Sequence, residues 1–138
     1  MRYFLSVGYF SVLFYLVFLA RRRRLPVAET DRLNLVPFKK SIHLLSQHLA
    51  FNYHNVYNFY PDLAGNLLLF IPFPACMAFL IKTYDYKKLV LLAFIASISI
   101  ECTQYILHIG VADIDDVILN TAGALIGIGI VKFIKKRK

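Results

Sequence analysis

A chain of 138 residues that is 59% hydrophobic, with mean hydropathy +0.59, carries more apolar residues than a water-soluble core needs; soluble domains use about 45–50%. Sixteen Lys and Arg against eight Asp and Glu give a net charge of +8, but the cations gather at the ends of apolar stretches, which argues for membrane-flank anchors and against a nucleic-acid partner. Cys76 and Cys102 both lie inside apolar segments, where free Cys behaves as a small hydrophobe, and no redox role follows from them.

Four stretches are long enough, at about 17–25 residues, to cross the hydrocarbon core as helices: residues 3–20, 63–81, 89–109 and 117–134. The first exceeds the apolar run of a signal peptide, and Phe18-Leu19-Ala20 is a poor cleavage site, so a retained helix is expected. Between the first two helices residues 21–60 are too polar to span. Within them Phe38, Ile42, Leu45 and Leu49 recur at helical spacing, the pattern of an amphipathic helix lying at the interface. Tyr84 and Tyr86 mark headgroup depth between the second and third helices, and an acidic turn, residues 110–116, joins the third and fourth.

An even number of helices puts both termini on one side with the 82–88 loop. That side holds nine cations against seven opposite, a narrow vote for cytoplasmic termini that the dense run Arg21 to Arg24 opposes. The acids are less evenly spread: Glu29, Asp31, Asp62, Asp113, Asp115 and Asp116 all fall on the face away from the termini.

Glu101 lies about 12 Å below that face, about eight residues at 1.5 Å each, where an ionised carboxylate is costly unless paired, solvated or protonated. Gln104 and His108 follow at i+3 and i+7, predicting a polar stripe along the third helix. On the fourth, Asp113, Asp116 and Asn120 repeat at spacings of three and four, and Gly123 and Gly127 extend the stripe as a small-xxx-small packing pair that can support close helix approach, including a homo-oligomer. Asp62 and Asn66 open the second helix on the same face. Other readings stay open: Asn66, Asn120 and Glu101 as interhelical hydrogen-bond glue, Asp113, Asp115 and Asp116 as a solvated, capping turn, and the histidines as interfacial polar residues rather than metal ligands.

At these residues the chain resembles the VanZ-like family, named for a teicoplanin-resistance protein of glycopeptide-resistant bacteria. The matching pieces are Arg32-Leu33-Asn34-Leu35-Val36-Pro37-Phe38 in the loop, Gly65-Asn66-Leu67-Leu68-Leu69-Phe70-Ile71-Pro72 in the second helix, Glu101 with Gln104 in the third, and the run from Asp113 through Asp115, Asp116 and Asn120 to Gly123. They span roughly Arg32 to Gly127. Many relatives carry arginine where this chain has Gly110 and glycine where it has Pro74; the first departure removes a partner for the acids, and the second, beside Pro72, predicts a kink. The resemblance implies a bacterial multi-pass membrane protein connected with glycopeptide susceptibility, and supplies no reaction.

The expected fold is therefore an all-α membrane bundle of about four helices with an interfacial helix between the first two, forming one domain in the bacterial cytoplasmic membrane with cytoplasmic termini. The expected function is to bind, or act on, an amphiphilic envelope component such as an anionic lipid or lipid-linked precursor at the acidic face. If the chain is an enzyme, Glu101, Asp113 and Asp116 are the catalytic acids, with Asp113 and Asp116 as ligands for a divalent cation; Arg32, Asn34, Asn66, Gln104 and Asn120 then hold the substrate. The competing expectations are a non-enzymatic scaffold and a small oligomeric transporter.

Overall fold

The computed structural model describes residues 2–20, 32–38, 42 and 64–136. In chain order these form α1 (Arg2–Phe14), which runs on into a π-helical stretch Tyr15–Ala20; a two-residue strand β1 (Leu33–Asn34); α2 (Ala64–Ile81), broken at Ile71 and Pro72; α3 (Tyr86–Ile106); a second strand β2 (Ala112–Asp113); and α4 (Ile114–Lys136). Among the described residues three segments are long and apolar enough to cross a membrane: Ala64–Ile81, Tyr86–Ile106 and Ile114–Ile134. The first helix is apolar over the shorter stretch Tyr3–Leu19. Its reach, about 25 Å at 1.5 Å per residue, sits at the low end of what spans a bilayer. Large apolar side chains point outward along every helix, among them Phe4, Leu91, Leu125 and Phe133. Water would make so much exposed apolar surface costly, whereas lipid makes it the ordinary outer face of a membrane bundle.

Helix ends are set by caps rather than by the limits of the apolar runs. The carboxylate of Asp85 accepts from the backbone N–H groups of Lys87 and Lys88, so α3 starts at Tyr86, three residues before the hydropathy run suggests. It also stops earlier, at Ile106, because Leu107 to Gly110 form a turn in which His108 takes a left-handed φ of 55°. The polar stripe read at i, i+3 and i+7 therefore ends at Gln104; His108 lies past the helix and points elsewhere. Asp113 accepts from the N–H of Asp115 at 3.1 Å and so starts α4 at Ile114 rather than Val117. Asp115 and Asp116 fill its first turn, where the helix dipole favours negative charge.

The break in α2 follows from its prolines. Pro72 and Pro74 have no N–H to give to the carbonyls of Leu68 and Phe70, and Ile71 N turns back to Leu68 O at 3.4 Å. A second helical stretch then runs over Phe73–Ile81. The disturbed backbone is met by α1: Tyr9 donates its hydroxyl to Leu69 O at 2.8 Å, and Ser6 donates to Cys76 O at 3.2 Å. Around this junction Leu13, Val17, Phe70, Phe73, Ala93 and Ala124 form the main core, with Phe70 and Phe73 stacked at 5.3 Å.

α4 packs against both α2 and α3. A methyl group at Gly123 would run into the carbonyl oxygen of Leu67, and one at Gly127 into that of Ile71. The small-residue stripe expected to pack closely against a neighbouring helix does so, and the helix it meets is α2 of the same chain, at the point where the proline break exposes backbone carbonyls. Of the predicted interfacial helix, Phe38 and Ile42 are described, with Ile42 N donating to Phe38 O at 2.8 Å, one helical turn. The rest of that helix, Asp62, His43, His48, His54 and the run Arg21 to Arg24 lie outside the described residues.

Candidate functional site

The acidic face is held by a clasp between two pieces of chain far apart in sequence. β1 pairs in parallel with β2, Leu33 beside Ala112 and Asn34 beside Asp113, and Ala112 N donates to Arg32 O at 2.8 Å. Such a bridge satisfies backbone groups that no helix takes up at this depth. Phe38, at the far end of the β1 segment, has a left-handed φ of 59°, which turns its N–H onto the Asp115 carboxylate at 2.7 Å.

Three carboxylates lie inside this clasp, each at most 7% exposed: Glu101, Asp113 and Asp115. Glu101 Oε2 accepts from the backbone N–H of Asp113 at 2.9 Å, which ties the end of α3 to β2. One oxygen of Asp113 serves twice, accepting from Asn34 Nδ2 at 2.8 Å and from Asp115 N at 3.1 Å. The acids are therefore satisfied largely by N–H donors, the pairing that makes burial of a carboxylate tolerable. Asp116, on the adjacent position of α4, is half-buried and is the most accessible of the four.

The remaining expected site residues divide between this clasp and the bundle interior. Asn34 is in the clasp. Arg32 is at its edge, where its guanidinium meets Nδ1 of His108, so the residue expected to hold an anionic headgroup is engaged with the histidine that helical spacing put on the polar stripe of the third helix. Gln104 is fully buried and donates from Nε2 to Val17 O at 3.1 Å, reaching the π-helical end of α1. Asn120, also buried, donates to Ser97 Oγ at 2.8 Å, and its own Oδ1 has no partner among the described residues. Asn66 is buried near the start of α2. Gly110 lies against Gln104, and a Cβ there would approach its Oε1 to 3.2 Å, so arginine at this position would require Gln104 to shift.

Two participants were not singled out from the sequence. Asp115 looked like one acid among three in a turn, yet it is the one that clamps Phe38. Ser97 is four residues before Glu101, and with Ala93 it lines the buried stripe of α3; that spacing of small residues ahead of the glutamate was the available signal. Among the described residues no group of three or more His, Cys, Asp or Glu side chains is arranged to hold a metal ion. A cation on Asp113 and Asp116 would need further ligands from elsewhere.

These residues lie within the stretch, residues 5–135, that matches the family model for VanZ/LLP1. The chain belongs to the VanZ/LLP1 family. Among curated proteins, Protein VanZ of Enterococcus faecium is 32% identical over 103 residues, covering 68% of this chain and 62% of that protein. The match thus spans less than two thirds of the relative's length. No solved structure matches the chain. In this VanZ/LLP1 member the segments on which the sequence resemblance rests form the clasp: residues 32–38 supply β1, and the run from Asp113 supplies the end of β2 and the capped start of α4.

Proposed function

We propose that this VanZ/LLP1 member is a bacterial cell-envelope membrane protein whose acidic face binds an amphiphilic envelope component, and that this binding alters susceptibility to glycopeptides of the teicoplanin type. The observation that carries the reading is the clasp of Asn34, Glu101, Asp113 and Asp115. Burying three carboxylates together is an expensive way to join helices that apolar residues would join more cheaply. Ionisable groups at membrane depth are functional candidates for that reason. The clasp fixes the position of Asp116 beside it, so Asp116 with Asn34 and Arg32 forms the recognition edge, while Glu101, Asp113 and Asp115 hold that edge in shape. An outward-facing edge suits this role, since glycopeptides act outside the cytoplasmic membrane.

The test is a susceptibility assay in a teicoplanin-sensitive bacterium expressing the chain, with membrane levels checked by immunoblot. Asp116→Asn is expected to abolish protection while the purified protein melts only a few degrees below the wild type, since the loss of a negative charge in the first turn of α4 costs about 0.3–1 kcal/mol. Full protection by Asp116→Asn at normal membrane levels would overturn the reading.

A second reading is supported by the same hydrogen bonds. Glu101, Asp113 and Asp115 all accept from backbone N–H groups, the arrangement of a scaffold whose polar residues set helix register. In that case protection and melting temperature fall together across Glu101→Gln, Asp113→Asn and Asp116→Asn, and no variant separates them.

A further inference from the structure

The end of the bundle opposite the acidic face carries a groove of about 560 Å³ between α3 and α4. Its floor includes Phe94, Leu125 and Ile128, and Tyr86, Lys87 and Lys132 line it at the end where α3 begins and α4 finishes. Phe94 and Leu125 are substantially exposed, so the trough is open along the surface that faces lipid. The volume is in the range of small-molecule sites, about 300–1,000 Å³.

Two features make its mouth cationic in a fixed place. Lys132 Nζ stands 4.5 Å from the centroid of the Tyr86 ring, which holds the ammonium at the groove rather than leaving it to extend into water. Lys87 is in the first turn of α3, where the positive end of the helix dipole adds to its charge. The acid at this turn, Asp85, directs a carboxylate oxygen at the N–H groups of Lys87 and Lys88.

An apolar trough closed at headgroup depth by two lysines is complementary to an anionic phospholipid, with an acyl chain along Phe94 and Leu125 and the phosphate between Lys87 and Lys132. A second copy of the chain is a poorer occupant, because a two-fold pairing across this groove would bring the same lysines face to face. A soluble anion has no use for the trough. We infer that the α3–α4 groove is a binding site for an anionic phospholipid.

The test is native mass spectrometry of the purified full chain released from detergent with palmitoyl-oleoyl phosphatidylglycerol or phosphatidylcholine, counting retained lipids. The wild type retains phosphatidylglycerol in preference, and Lys87→Gln with Lys132→Gln lowers that retention at least about fivefold, from the attraction each lysine provides to anionic lipid. Lys87→Arg with Lys132→Arg keeps it, which separates loss of charge from loss of fold. Lys82→Gln, which removes one positive charge in the α2–α3 turn outside the groove, leaves it unchanged. The inference is overturned if the double Gln variant retains phosphatidylglycerol like the wild type, if Lys82→Gln lowers retention as much, or if millimolar inorganic phosphate displaces the lipid. Disulfide dimers formed through Leu125→Cys in native membranes would put a second copy in the groove and overturn it as well.

Discussion

Asn34 Nδ2 donates to Asp113 Oδ1 at 2.8 Å across 79 residues of chain, and the same oxygen caps α4 through Asp115 N. One carboxylate oxygen thereby fixes both the start of a membrane helix and the position of a loop that follows the first helix. The two roles are separable by mutation. Asn34→Ala removes the loop contact alone, with an expected cost of about 1 kcal/mol. Asp113→Ala removes the cap as well, for a total of about 2–3 kcal/mol. A double-mutant cycle read by thermal melting in detergent is expected to give a coupling of about 1 kcal/mol. Strict additivity would mean that the two side chains do not interact in the folded protein.

The close approach of α4 to α2 predicts opposite outcomes for two glycines two residues apart. At Gly127 a methyl group meets the carbonyl oxygen of Ile71, whereas at Gly129 nothing lies within 4 Å. Gly127→Ala is expected to destabilise by about 1–3 kcal/mol through forced separation of the helices. Gly129→Ala is expected to be neutral or to stabilise by up to about 1 kcal/mol, since alanine is the better helix former. Equal melting temperatures for the two variants would contradict this helix pairing.

A third prediction concerns the buried pair of Ser97 and Asn120. Ser97→Ala leaves the Asn120 amide N–H₂ without its acceptor in a dry interior, where a lost partner costs about 1–3 kcal/mol. Asn120→Leu removes the whole amide, including the carbonyl oxygen that has no partner among the described residues, and the Ser97 hydroxyl can turn to its own helix backbone. The leucine variant is therefore expected to melt higher than the Ser97→Ala variant, although it is the larger change. The reverse order would mean that the Asn120 carbonyl is satisfied after all.

These cases mark where the sequence is legible and where it is not. Hydropathy and length locate the spans because each helix buries its own backbone bonds, a local property. Pro72 announces the break in α2 for the same reason. The clasp is different: nothing near Leu33 or Ala112 signals a parallel bridge, because its partners are separated by two helices. Helical spacing also misplaces His108, since the stripe argument assumes a helix that in fact stops at Ile106. Gly123 and Gly127 signal a close approach but not to whom, and the partner is α2 rather than another chain. Motif matching reaches further than spacing here, bringing Asn34, Glu101 and Asp113 into one group before any geometry is known, but it leaves unsaid that Glu101 takes the backbone N–H of Asp113 while Asn34 takes its side chain.

The proposed outward orientation yields a direct measurement, provided the labelled positions are accessible. Asp115 is a poor probe because its side chain is buried under Phe38. Leu35 is 66% exposed beside the clasp, and Tyr84 is 48% exposed in the turn at the opposite end. Cys76 and the exposed Cys102 are first replaced by alanine. In that background a membrane-impermeant maleimide is expected to label Leu35→Cys in intact cells and Tyr84→Cys only after permeabilisation. The opposite pattern would put the acidic face in the cytoplasm; the glycopeptide reading would then lose its extracellular site, and the lysine-rich groove would face the outer leaflet.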